Sequence, residues 1–431
     1  MKKRQSVIGK MILTVWFAMF LTAFAGEGNR DIDSVTDKFS LWTGKTQLRG
    51  ANIWQAIVIP DLDGPDFKGP GPVGPPYTQN DFDRLAEWGA NYVNISHPGL
   101  FTKTPPFTLN PNIQAYLDNL LTKIANADMF AVISFRTGPG RSEFSLCCDV
   151  EPENEKYFND TMWRSQAAQN AWVAMWRYTA NRYRENPIVV GYDLMVEPNS
   201  NAVGSNARDP LDIWDSDEFY DNYGGTLLDW NQLYPRITRA IREMDSKTPI
   251  LIGGMSYSAI AWMPYLKPTG DPRTVYMAHQ YEPQDDYTHQ NPPLINTYPG
   301  VFDIDGDGVD DQFNRAWLNN LLSTVDTFAA THGVRVAVNE FGLIRWEPGA
   351  ARYMDDLISL FEQRGMNHAL WEWQTSWAPF AMEVHDMNFR LGPDPNNRTD
   401  VASSSLIKVI KKYWGRNTIR PSNASFAQQQ E

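Results

Sequence analysis

The chain has 431 residues, 42% of them hydrophobic, and a formal net charge of -13. That length can bury a large core, and so acidic a surface repels polyanions, which argues against nucleic acid as a partner. The two cysteines, Cys147 and Cys148, are adjacent; they cannot together staple distant segments, and with no His/Cys cluster they supply no structural zinc site.

The chain begins with Lys2, Lys3, Arg4 and Lys10, continues into an apolar run over 11–25, and closes that run on Ala23-Phe24-Ala25. This is the layout of a signal peptide over 1–25, too short to span a bilayer. It predicts a secreted or periplasmic protein with no membrane partner once the leader is removed. A lead-in over 26–44 precedes the first strand-like run, LRGANIW over 48–54. YVNIS (92–96), FAVISF (130–135), VVGYDLMVE (189–197) and ILIGG (250–254) follow. VYMAHQY (275–281), VRVAVNE (334–340) and HALWEW (368–373) complete the series.

Amphipathic helices fit between them over 81–88, 113–125, 162–183, 234–244, 317–331 and 351–364, with a last one over 404–413. The fifth, over 259–266, is the weakest. Strands alternating with helices predict a parallel sheet wrapped by helices, here a single-domain α/β fold, a (β/α)8 TIM barrel over 45–415. The Gly-rich dinucleotide fingerprint of an open doubly wound sheet is missing after the first strand. Long Pro/Gly-rich loops at 60–77, 138–157, 199–230 and 282–311 all follow strand ends, the face where barrel enzymes keep their sites. The polar stretch 416–431 reads as a disordered tail.

Two carboxylates, Glu197 and Glu340, end the fourth and seventh strand-like runs, each after apolar residues where a charge is costly unless used or paired. Either alone reads best as an ion pair at the barrel rim. Two in matching contexts fit the cleavage of a glycosidic bond with retention, which takes one protonated carboxyl and one ionised carboxyl ~5–5.5 Å apart.

LMVEPN around Glu197, VNEFG around Glu340, LRGAN on the first strand, HQY at 279–281 and Trp371 on the last strand together resemble glycoside hydrolase family 5, the cellulase-type family. The resemblance implies a retaining hydrolase of β-linked glycans acting on an oligo- or polysaccharide as a monomer, with no cofactor for catalysis. Glu197 would be the acid/base and Glu340 the nucleophile. Tyr281 would donate to the nucleophile and keep its pKa low, His279 would orient the acid/base, and Trp371 would floor the sugar at the cleavage point. Three positions depart from the family. Val196 stands where Asn precedes the acid/base, Asn94, a candidate substrate contact, lies on a second strand without the usual Arg, and Arg136 stands where the third strand ends in His. The exchange suggests that Arg136 supplies the cation near Glu340 and His97 the missing imidazole. A β-mannan or glycolipid substrate, or a catalytically silent sugar-binding barrel, are the alternatives these departures raise.

Trp54 and Trp373, with Tyr257, Trp262, Trp377, Trp214 and Trp230, lie at or beyond strand ends, and about half are expected to line sugar subsites. The loop DIDGDGVDDQFN over 303–314 puts Asp303, Asp305, Asp307 and Asp311 at positions 1, 3, 5 and 9 of an EF-hand-type calcium loop, with Gly308 at position 6 and Asn314 replacing the usual Glu at 12. It is expected to hold a structural Ca2+; a solvated acidic loop is the alternative.

Overall fold

Eight strands, β1 (Arg49–Trp54), β2 (Tyr92–His97), β3 (Phe130–Phe135), β4 (Val189–Asp193), β5 (Ile250–Gly253), β6 (Thr274–Gln280), β7 (Arg335–Phe341) and β8 (His368–Leu370), pair in sequence order, all parallel, and close into a barrel through β1 and β8. The structure is a computed structural model and describes residues 35–64, 66–145, 152–203, 211–290, 292–377 and 383–427. The expected leader at 1–25, Cys147 and Cys148 lie outside these residues. No helix among the described residues is long and apolar enough to cross a membrane.

Strand alternation sorts the side chains. Tyr92, Phe130, Val132, Val190, Leu251, Val275 and Ala337 meet in one apolar cluster inside the barrel. Val93, Ile95, Ile133, Ile252 and Val338 face the helices in the outer core. Those helices are α1 (Gln79–Glu87), α2 (Pro111–Asn126), α3 (Gln166–Tyr183), α4 (Trp230–Arg242), α5 (Arg315–His332), α6 (Ala350–Gln363) and α7 (Ser405–Trp414). Their starts follow cap chemistry. Asn110, Ser165, Asp229, Asn314 and Ser404 each accept a backbone N–H of the first turn, a contact worth about 1 kcal/mol. This explains why α3 begins at 166 rather than 162: Met162 belongs to a short 3-10 turn ahead of the Ser165 cap. Between β5 and β6 the weak fifth helix is only a 3-10 segment, Ile260–Tyr265, interrupted by Pro264.

The barrel is plugged at its N-terminal end by the lead-in. Trp42, on the 3-10 turn Lys38–Trp42, donates its indole N–H to the Val190 carbonyl at 3.0 Å. The expectation of a disordered tail fails over 416–427. Asn417 Nδ2 donates to the carbonyls of Arg49 and Gly89, Ser425 Oγ to that of Val35, and Ala424 is buried while Phe426 stacks on Phe130 at 6.0 Å. The polar composition that suggested disorder instead satisfies carbonyls exposed at the barrel's lower rim.

Candidate active site

The C-terminal ends of β4, β6 and β7 converge on one acid/base cluster. His279 and Glu340 are register partners across the β6–β7 pair, and a register shift between Ala337 and Glu340 breaks the alternation there. Such a bulge puts two consecutive residues on the same side of the sheet. Asn339 donates to Asp193 Oδ2 at 3.0 Å inside the barrel, while Glu340 reaches the cleft above it. Glu197 lies four residues beyond β4 with φ = +54°, a left-handed conformation that costs a non-glycine residue ~1–2 kcal/mol. His279 Nδ1 is 3.0 Å from Glu197 Oε1 and 3.6 Å from Glu340 Oε1. One carboxylate oxygen of each glutamate and a ring nitrogen of His279 lie within 4.8 Å of one another. The Tyr281 hydroxyl donates to Glu340 Oε1 at 2.9 Å.

Electrostatically the three groups act as one. Burial pushes the Glu340 carboxyl up to about 7, aided by the neighbouring Glu197 charge and opposed by His279, the Tyr281 hydrogen bond and Arg136. The Tyr281 phenol lowers this carboxyl, as expected of a donor, but burial outweighs that one hydrogen bond and the net shift is upward. Burial alone would lower the His279 imidazole, but the charges of Glu340, Glu197 and Asp193 together lift it to about 9. Near neutrality the imidazole is therefore charged, and a pair of carboxyls this close favours sharing a proton.

A polar layer separates this cluster from the apolar barrel floor. Asn94 Nδ2 donates to Asn52 Oδ1 at 2.7 Å, Ser134 Oγ to Asn94 Oδ1 at 2.7 Å, and Asn52 Nδ2 to the Asn339 carbonyl at 2.9 Å. Asp193 closes the layer, its carboxyl raised to about 6 by burial. Asn94 thus braces the strand that bears the nucleophile and does not line the cleft, a correction to its expected substrate contact.

The cleft has a volume of about 670 Å3, and Trp371, Arg136, Val196, Trp214, Tyr257 and Trp262 are among its lining residues. Trp371 lines the cleft and is joined to Glu372 by a cis peptide bond. Arg136 lies near enough to Glu340 to act on its charge, as the exchange suggested. Its Nη1 donates to Ser96 Oγ at 3.0 Å, its Nε pairs with Glu143 at 3.3 Å, and its charge reaches Glu340. Trp54 lies 5.8 Å under this guanidinium, beside the cleft lining.

His97 does not supply the missing imidazole. It points outward from β2, as its alternation with inward Ser96 dictates, and binds the Pro98 carbonyl at 2.7 Å against Tyr116. Burial lowers it to about 4. Trp373 is likewise a core residue, its N–H on the Asp81 carbonyl and its ring on Trp88 and Phe389. Trp230 is buried too, while Trp214 and Tyr257 stack at 6.1 Å in the cleft.

Sequence reasoning missed Arg141, His289 and the backbone of the loop after β5. Ser256, Tyr257 and Ser258 are all left-handed, which swings Tyr257 toward Glu197. In the acidic loop, Asp303, Asp305 and Asp307 bring ligand oxygens within 4.8 Å of one another, a hard-oxygen set that fits calcium. Asp311 stands apart, accepting from the Ile304 N–H at 3.3 Å, and Asn314 is taken up as the cap of α5.

A family model described as cellulase (glycosyl hydrolase family 5) matches residues 47–376. Endoglucanase C of Acetivibrio thermocellus is 21% identical over 330 residues, spanning 69% of this chain and 84% of that protein. Among solved structures, endoglucanase Cel5A from the hyperthermophilic Thermotoga maritima superposes with a TM-score of 0.60 at 17% identity, over 87% of this chain and 100% of that one. A further crystal structure of a glycoside hydrolase gives 0.61 at 21% identity, over 85% and 99% of the two chains.

Proposed function

We propose, from the premise that this chain belongs to glycosyl hydrolase family 5, that it hydrolyses β-1,4-linked glucan with retention, Glu340 attacking and Glu197 serving as acid and then base. That it is a glycoside hydrolase of β-linked glycans follows from the family. The observation that supports retention is the approach of the two carboxylates to within 4.8 Å, near the ~5–5.5 Å of double displacement and short of the ~6.5–9.5 Å that leaves room for an inverting water.

In the first step Glu197 gives its proton to the glycosidic oxygen, the C1–O bond breaks, and a Glu340 oxygen bonds C1. Tyr281 donates to Glu340, a bond that strengthens as charge grows there and so favours its attack. In the second step Glu197, now ionised, takes a proton from water, whose oxygen displaces Glu340 from C1. His279 faces both carboxylates and limits the repulsion between them throughout. The residues suffice for this route without a metal or organic cofactor.

The basic and apolar N-terminal stretch supports export, to the periplasm or beyond, and the enzyme is read as a monomer. The acidic loop is read as holding a structural Ca2+. A second substrate reading, β-mannan, is favoured by Val196, which lines the cleft beside Glu197 and whose side chain can give the sugar no hydrogen bond. Thermotoga maritima Cel5A has been crystallised with both mannotriose and cellobiose. The test is release of reducing ends from β-1,4-glucan, β-mannan and xyloglucan, with Glu340→Gln as control. Glucan turnover abolished by the substitution is expected; binding without turnover on every polymer would refute the reading.

A further inference from the structure

The turn after β3 puts an arginine where solvent does not reach it. Gly138 and Arg141 exchange two backbone hydrogen bonds of 3.0 Å, and Gly140 between them has φ = +71°, with Met162 N only 2.7 Å from where a Cβ would stand. Glycine is required there, and the turn it makes sends the Arg141 side chain beneath the acid/base. Arg141 is 0% exposed. Its Nη1 donates to the Val196 carbonyl at 2.8 Å, and its Nη2 to the Glu197 carbonyl at 2.6 Å and to Asn199 Oδ1 at 3.2 Å. Asn199 in turn donates to the Ser145 carbonyl at 2.7 Å, which ties the same segment back to the turn. A fork with two donors on consecutive carbonyls fixes a peptide orientation that one donor cannot. The peptide so held belongs to Glu197, whose φ of +54° needs an external hold to persist.

Among the described residues no carboxylate pairs directly with this cation; the strongest attraction it feels is the charge of Glu197. The other charged or titratable groups facing Glu197 are His279 from β6, Glu340 from β7, Tyr257 from the loop after β5 and His289 from the loop after β6.

We propose that Arg141 is a positioning residue for the reaction: its fork holds the left-handed backbone of Glu197 so that the carboxyl can reach the glycosidic oxygen. This rests on the reading of Glu197 as the acid/base. A misplaced acid slows departure of a sugar alcohol, which needs the proton, and spares departure of a dinitrophenolate, which does not.

The experiment compares kcat/KM on a β-1,4-glucan oligosaccharide and on 2,4-dinitrophenyl β-cellobioside for wild type, Arg141→Lys, Arg141→Met and Glu197→Ala, with melting curves for each. Arg141→Lys keeps the charge and loses the fork; the oligosaccharide is expected to lose about 10- to 100-fold and the aryl glycoside under about threefold. Arg141→Met loses both fork and charge and is expected to discriminate between the two substrates in the same direction. Equal loss on both substrates in a folded Arg141→Lys protein, or no loss, overturns the proposal. If Arg141→Met fails to fold, the Lys variant decides. Glu197→Ala separates the two claims: if it loses both substrates equally, the acid/base reading itself fails, whereas if it discriminates and Arg141→Lys does not, only the role of Arg141 falls.

Discussion

Replacing Tyr281 by Phe removes one hydroxyl from the site and leaves its aromatic packing intact. That hydroxyl donates at 2.9 Å to Glu340, whose carboxyl burial has already pushed up to about 7. A hydrogen bond to a charged group is worth ~1.5–3 kcal/mol, and ~1.4 kcal/mol corresponds to one pH unit. The loss therefore raises the nucleophile's pKa by about one to two units. The sign is fixed by the chemistry. Attack needs ionised Glu340, so the acidic limb of kcat/KM moves to higher pH, and activity disappears earlier as pH falls. Initial rates on a soluble β-glucan across the acid and neutral range measure this, with circular dichroism to confirm folding. An acidic limb that stays in place, or moves down, in a folded Tyr281→Phe protein would refute the electrostatic account of the site.

Glu362 tests the barrel's lower rim. Burial would raise its carboxyl, but bonds from His368 and a two-pronged contact from Arg49 bring it down to about 2. A depressed carboxyl contributes stability above its unfolded value and loses it as pH falls toward 2. Glu362→Gln should thus cost about 2 kcal/mol near neutrality, after allowance for solvent screening, and progressively less in acid; urea melts at several pH values would show a constant difference if the idea is wrong. For the acidic loop, added Ca2+ should raise the melting temperature, by about 2.7 kcal/mol of stabilisation at a hundredfold excess over Kd. Asp305→Asn with Asp307→Asn should abolish that rise, and a melting temperature indifferent to Ca2+ and chelator in the parent protein would exclude the ion.

The barrel was legible because short apolar runs and amphipathic helices alternate in the sequence, and the strand-end position of Glu197 and Glu340 marked the pair. What escaped depends on local breaks in those patterns. His97 was misplaced by ignoring the alternation that sends Ser96 inward and His97 outward. The bulge in β7 lets Asn339 and Glu340 share a side, and no residue type announces it. Arg141 acts through backbone carbonyls 55 and 56 residues away, so only the Gly-Pro-Gly ahead of it hinted at a constrained turn. The tail 416–427 looked disordered because its polar residues match backbone groups brought to the barrel's end from distant parts of the chain.

The central claim is that Glu340 forms a covalent bond to the sugar while Glu197 transfers protons. An activated 2-deoxy-2-fluoro β-cellobioside, which slows both steps and lets the intermediate accumulate, tests it by mass spectrometry of the digested protein. One fluoroglycosyl group on the peptide bearing Glu340 is the predicted result. A label on the peptide bearing Glu197, or inverted product with no covalent adduct, would contradict it.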